Sequence, residues 1–293
     1  PQIMSQTGQS FELLAVPFFI LAANFMNALG MTQRIFDFAA SVVGFARGGL
    51  AHVNVLASMI FAGISGAAVA DAAGLGSIEI RAMRRAGYEL GFSASVTISS
   101  STIGPIIPPS IMMVIYAITA DVSIARMFVA GLIPGIVIGL ILIVMIYLMV
   151  ATGYRKCPPP VPFSLKRFLD TAQAGILSLI APIIILWGMV SGVVTPTEAG
   201  VLAVGYSLLI GAIYRSYKLK ELPKVLRETV ETAALIMYIT AISSVMSWLM
   251  INEGTARDIS EWLSGISASP LLFLIVINVF LLIVGCILET LPA

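Results

Sequence analysis

The sequence has 293 residues, 59% hydrophobic and only 11% charged, with a mean hydropathy of +1.02 and a formal net charge of +1. A soluble domain carries about 25% charged residues, so a water-soluble globular protein is excluded and an all-α integral membrane protein is expected. The net charge alone says nothing about partners, and no nucleic-acid partner is expected of a membrane protein; Cys157 and Cys286 stand apart from any CxxC or His/Cys cluster.

A first span is predicted over 11–29. Residues 31–49, MTQRIFDFAASVVGFARGG, set Arg34 and Asp37 among aromatics, the pattern of a helix lying at the interface. Next, GISGAAVADAAGLG (63–76) puts Gly, Ser and Asp at the depth of a bilayer midplane. Irregular backbone survives there only when it is buried in protein or lines a cavity, so 50–90 is read as a re-entrant hairpin entering and leaving on one side. His52, at its start, reads as a helix-end residue.

The stretch SSSTIGPIIPPS (99–110) falls inside the next span, 92–119. Proline removes an N–H and pushes the preceding residue out of the α region. Pro105, Pro108 and Pro109 behind Gly104 therefore predict a broken helix, with Ser99 to Thr102 and Ser110 as partners for the freed backbone groups. The same break suits ligands. The C-terminal end of its first half offers carbonyls to a hard cation such as Na⁺, and the N-terminal end of its second half offers N–H groups to an anion.

A plain span follows at 127–151, closing a first unit over 1–153, and a Pro-rich linker at 154–171 separates the halves. Spans at 172–191, 196–214 and 229–251 come next, with the capping-box order Thr195-Pro196-Thr197-Glu198 opening the second. An amphipathic stretch (255–265) and an apolar segment from 270 complete the chain, which is expected to be an incomplete copy ending within a second hairpin. With 50–90 re-entrant, Arg34, Arg47, Arg81, Arg84, Arg85, Arg155, Lys156, Lys166, Arg167, Arg215, Lys218, Lys220, Lys224 and Arg227 share one side. Arg126 and Arg257 alone face the other, so the first side is predicted to be cytoplasmic and the linker with it. Span, surface helix and hairpin start then recur over 229–293 in the opposite orientation, an inverted-topology repeat of the kind that builds many secondary transporters.

FAGISGAAVADAAGLG (61–76), AGYELGFSASVTISSSTIGPIIPPSIMMVIYA (86–117) and GVVTPTEAGVLAVGYSLLIG (192–211) closely resemble the large membrane (M, DctM-like) subunit of tripartite ATP-independent periplasmic (TRAP) transporters. The resemblance implies an elevator-type fold with inverted repeats, re-entrant hairpins and broken helices, like the wider ion transporter superfamily. It implies a Na⁺-driven symporter in the bacterial inner (cytoplasmic) membrane that imports an organic acid anion, such as a dicarboxylate or sugar acid. Its partners would be a small membrane (Q) subunit and a periplasmic substrate-binding protein. Carried onto this chain, the sodium site would draw on Ser65, Gly66, Ser100, Ser101, Thr102, Gly104 and Pro105. The substrate carboxylate would meet Ser65, Ser101, Pro109 and Ser110. Many relatives have a second Ser where this chain has Ala67.

Asp71, beside the hairpin tip, reads either as an ion-related carboxylate or as a structural one, in a helix–helix hydrogen bond or as a helix cap. An intramembrane enzyme is not expected, since HExxH and GxSxG are both lacking. The remaining rivals are a channel and a stand-alone organic-anion carrier that needs no binding protein.

Overall fold

The computed structural model describes residues 11–155, 157–216, 221–255, 257–259, 261 and 270–286. Among these, all regular structure is helical. A 3₁₀ turn, Phe11–Leu14, leads into α1 (Ala15–Ala28), and α2 (Met31–Val43) follows across a turn. Then come α3 (Gly49–Ser65), α4 (Ala68–Ala73), α5 (Leu75–Arg85), α6 (Leu90–Ser101), α7 (Ile111–Thr119) and α8 (Ile124–Ala151). The remainder comprises α9 (Leu165–Val190), α10 (Pro196–Ile213), α11 (Leu222–Asn252) and α12 (Pro270–Gly285).

Five helical stretches are long and apolar enough to cross a membrane: Phe11–Ala28, Ile124–Ala151, Leu165–Val190, Pro196–Ile213 and Leu222–Asn252. Together they make the chain a multi-pass membrane protein. Helix α9 starts seven residues before the span expected from 172, and α11 starts before 229. Hydropathy marks where hydrocarbon begins, whereas caps mark where a helix begins. Ser164 accepts the Arg167 N–H at 3.4 Å and starts α9 inside the segment read as linker.

Residues 11–230 form one compact unit, and the chain beyond it is a separate one. Helix α3 is the hub of the first, because its apolar residues run round most of its circumference, as in a fully buried helix. Val53, Ala57, Phe61 and Ile64 pack into one core with Met31, Ile35 and Phe36 of α2, Leu75 of α5 and Ala181 of α9. Ala51, Val55 and Ala62 pack into another with Met83, Phe92, Val96, Ile103, Ile107 and Ile146. Between these faces, Asn54 and Ser58 form a polar stripe one turn apart, both fully buried.

The chain over α3, α4 and α5 doubles back on itself. Its ends meet where the Leu50 N–H donates to the Tyr88 hydroxyl at 3.3 Å, and a salt bridge of 2.8 Å from Arg155 to Glu89 ties the exit to the loop after α8. Elsewhere, small residues let helices approach closely. Gly200, Ala203, Ser207 and Gly211 line the buried face of α10, where it packs on α1 through Phe18 and Leu29. The capping box is formed in full. The Glu198 carboxylate accepts the Thr195 N–H at 2.7 Å, and the Thr195 hydroxyl accepts the Glu198 N–H at 3.3 Å.

In the second unit, α12 is a single apolar helix. The amphipathic stretch at 255–265 and the chain end at 287–293, where the second hairpin was expected, lie largely or wholly outside the described residues.

Candidate functional site: a hairpin tip seated in a broken helix

The prolines act locally as their chemistry dictates. Helix α6 stops at Ser101 and α7 starts at Ile111, with turns between them. The freed backbone groups find near partners. Gly104 N–H donates to the Ser101 carbonyl at 3.0 Å, and the Ile106 and Ile107 N–H groups donate to the Ile103 carbonyl at 2.9 and 3.0 Å. Ser110 ties the two halves together. Its hydroxyl donates to the Pro105 carbonyl at 2.6 Å and accepts the Met113 N–H at 3.3 Å as the N-cap of α7.

The hairpin tip sits in this gap. Gly66 has φ +60°, a left-handed conformation that a side chain disfavours. A Cβ there would stand 2.6 Å from the Pro109 carbonyl oxygen and 3.1 Å from the Ile111 nitrogen. On the other side, a Cβ on Gly104 would meet the Ala67 carbonyl at 3.2–3.3 Å. The tip backbone thus lies between Gly104 and the start of α7, with no room for a Cβ at Gly66 and little at Gly104. From behind, α8 offers Gly131, Gly135 and Gly139, one turn apart and all buried. Against them lie Met113 of α7, Ile107 of the break and Met59 of α3.

Below the tip lies a buried polar layer between α3, α5 and α6. The Ser58 hydroxyl donates to the Ser100 hydroxyl at 3.1 Å, and Ser100 donates to Asn54 Oδ1 at 2.7 Å. Asn54 Nδ2 donates to the Thr97 hydroxyl at 2.7 Å, and Ser101 donates to the Thr97 carbonyl at 2.8 Å. Asp71 is buried against this layer with the Ser58 and Ser101 hydroxyls facing its carboxylate. It lies within α4 and not at its start, so the capping reading of Asp71 is replaced by that of a buried carboxylate facing hydroxyls of α3 and α6.

A family model described as "Tripartite ATP-independent periplasmic transporter, DctM component" matches residues 1–293. This chain belongs to the DctM component family of tripartite ATP-independent periplasmic transporters. It is 40% identical over 285 residues to the C4-dicarboxylate TRAP transporter large permease protein DctM of Pseudomonas aeruginosa, covering 97% of this chain and 66% of that relative. The sialic acid TRAP transporter large permease protein SiaM of Vibrio cholerae is 40% identical, with 96% of this chain and 66% of the relative covered. The 2,3-diketo-L-gulonate TRAP transporter large permease protein YiaN of Escherichia coli is 38% identical, with 99% and 69% covered. The chain thus spans 66% of the length of the first two relatives. The family is one of transporter components, not of enzymes.

In this DctM-family chain the structure brings Gly66, Gly104, Pro105, Pro109 and Ser110 together at the tip and break. Ser101 is buried on the side of Asp71, while the Ser100 hydroxyl is turned into the Asn54 layer. Thr102 is exposed, and its hydroxyl donates to the Ser99 carbonyl at 2.7 Å. The backbone of Ser65 closes α3 at the tip; its side chain lies outside what is described. His52 is buried at the start of α3, with Nε2 3.1 Å from the Arg47 carbonyl.

Sequence reasoning passed over Asn54, Ser58, Thr97 and Glu79. Glu79 is fully buried and its two carboxylate oxygens make no hydrogen bond. The available signals were polar residues at i and i+4 in an apolar run (Asn54, Ser58) and the spacing Gly76, Glu79, Met83 on one face of α5.

Proposed function

We propose that this chain is the membrane transport subunit of a Na⁺-coupled secondary importer for a carboxylate-bearing solute. A periplasmic binding protein delivers the solute, and a small membrane subunit completes the complex in the bacterial inner membrane. The observation that carries this reading is the hairpin tip at Gly66–Ala67 seated between Gly104 and Pro109–Ile111. Two interrupted elements meet there, which brings helix ends and irregular backbone together at one place inside a membrane protein.

The residues suit the two ligands. Carbonyls and hydroxyls of Ser65, Gly66, Ser100, Ser101, Thr102, Gly104 and Pro105 are all-oxygen donors, as a hard cation requires. Of the hydroxyls, all three donate to other acceptors and would offer only their oxygens; Ser101 is the one buried on the side of Asp71. For the carboxylate, the reading assigns Ser65, Ser101 and the backbone at Pro109 and Ser110, where the N-terminus of α7 favours negative charge. The relatives' named solutes, C4-dicarboxylates, sialic acid and 2,3-diketo-L-gulonate, are all organic acids and support the same solute class. Inverted repeats and an elevator movement of the hairpin with α6 and α7 complete the proposal, with the Arg81, Arg84 and Arg85 end of α5 on the cytoplasmic side.

The test is uptake of radiolabelled organic acids into proteoliposomes holding the full-length permease and its small subunit, with and without the cognate binding protein. Uptake only with the binding protein is the expected result. Equal uptake without it would make the protein a stand-alone carrier.

A further inference from the structure

Glu79 takes no part in the tip-and-break site, yet it is 0% exposed and neither of its carboxylate oxygens makes a hydrogen bond. Its place on α5 explains the burial. Gly76, Glu79 and Met83 lie on one face of the helix. Gly76 packs on the Thr97 methyl of α6, and the Met83 sulfur lies 4.0 Å from Asn54 Nδ2 of α3. These contacts close the face on either side of Glu79, and the polar groups behind them are committed. Asn54 donates to the Thr97 hydroxyl, and Ser100 donates to Asn54.

Among the described residues, no element packed against α5 brings a positive charge to Glu79. On α5 itself Arg81, Arg84 and Arg85 are exposed. From α2, Arg34 lies over the Tyr214 ring at 3.8 Å and donates to the Ala174 carbonyl, while Asp37 accepts from Gln33. On α3, His52 sits against the Arg47 carbonyl. Ahead of α6, the Tyr88 hydroxyl accepts the Leu50 N–H and Glu89 is held by Arg155 at the surface. What α4 brings is Asp71, a second carboxylate within electrostatic reach.

Two carboxylates sharing one sealed, low-dielectric layer do not both stay ionised. Their surroundings divide the roles. Asp71 has the Ser58 and Ser101 hydroxyls facing it, and hydroxyls stabilise a negative charge. Glu79 has neither donor nor cation, and a lone buried charge is neutralised by taking up a proton.

We propose that Glu79 is a proton-binding site of the hairpin: with the tip seated it is a neutral carboxylic acid, and Asp71 alone carries the negative charge of the pair. Loss of the proton sets like charges against each other in the closed layer and forces the Gly76–Thr97 contact apart, so that water at the Arg81–Arg85 end of α5 takes the proton. Only Gly74 separates α4 from α5, and α4 follows the tip directly, so the loosening reaches Gly66. Protonated Glu79 thus holds the tip in its seat, and alkaline pH releases it. The proton site stands apart from Na⁺ coupling; only its effect on uptake rests on the carrier reading above.

The experiment is infrared spectroscopy of the purified full-length permease with its small subunit, titrated from neutral to alkaline pH, for the parent protein and Glu79→Gln. The carbonyl band of a neutral carboxylic acid is expected in the parent at neutral pH, lost as pH rises and missing from Glu79→Gln. No such difference between the two overturns the site. Uptake into proteoliposomes, with pH raised equally on both sides, is the second readout. Parental uptake should fall about tenfold per pH unit beyond the midpoint of the band, as one titrating proton requires, while Glu79→Gln keeps its neutral-pH rate throughout. A merely structural role would scale uptake down at every pH and leave the profile unchanged, which also overturns the proposal. A band that behaves as expected in a parent that takes up no solute at any pH upholds the proton site and overturns the carrier reading. Should Glu79→Gln fail to fold, Asp71→Asn decides: with the neighbouring charge removed, the band must vanish at lower pH than in the parent, and an unshifted band overturns the pairing.

Discussion

Replacing Gly66 by alanine tests the tip most sharply, because two independent costs fall on one methyl group. The backbone at Gly66 is left-handed, with φ +60°, and a residue with a Cβ pays about 1–2 kcal/mol for that conformation. The methyl would also stand 2.6 Å from the Pro109 carbonyl oxygen, well inside contact distance, and relieving such an overlap in a packed site costs about 1–3 kcal/mol. Together these disfavour the seated tip by about 2–5 kcal/mol, which corresponds to a roughly 30-fold to few-thousand-fold shift in its population. The assay is uptake by the full-length complex in proteoliposomes, with melting in detergent as a check on folding. Gly66→Ala should keep most of its thermal stability, since the tip is local, while losing uptake by at least an order of magnitude. Parental uptake at parental Na⁺ and solute half-saturation would refute the reasoning, because the tip would then not need to seat against Pro109.

Two further substitutions probe the scaffold. Thr195→Ala removes the hydroxyl that accepts the Glu198 N–H and should cost about 1 kcal/mol. It should lower the melting temperature slightly while uptake per folded molecule stays at the parental level. Gly135→Val drives a side chain into Ile107 of the break and should destabilise by about 1–3 kcal/mol. Unlike Thr195→Ala, it should depress uptake beyond the loss of folded protein, measured as transport per molecule surviving size-exclusion chromatography.

The parts of this fold written in local chemistry were legible in the sequence. Pro105, Pro108 and Pro109 stop α6 at Ser101 and delay α7 to Ile111, and no neighbour is needed to explain why. Thr195, Pro196 and Glu198 likewise carry their capping box within four residues. Helices begin at Leu165 and Leu222, ahead of the spans read from 172 and 229, because hydropathy responds to hydrocarbon and not to a capping serine or a polar first turn. Asp71 stays open between an ion-related and a structural reading because sequence shows what lies before it and not what faces it; only the folded chain sets it against Ser58 and Ser101. Glu79 was lost among the arginines of the hairpin exit. Its burial depends on Thr97 filling the space beside Gly76, a contact between residues far enough apart that no local pattern announces it. The same holds for Asn54 and Thr97, which meet across 43 positions at 2.7 Å.

The most direct measurement of the central claim is solute accumulation driven by a Na⁺ gradient. The full-length complex is reconstituted with saturated binding protein outside, and uptake is followed with Na⁺ high outside, equal on both sides, or replaced by K⁺. Accumulation above the external concentration under the inward Na⁺ gradient, and collapse in the other two conditions, is the predicted result. Solute entry that proceeds equally under all three conditions would contradict it, because the oxygen-lined meeting of tip and break would then not couple an ion to the solute.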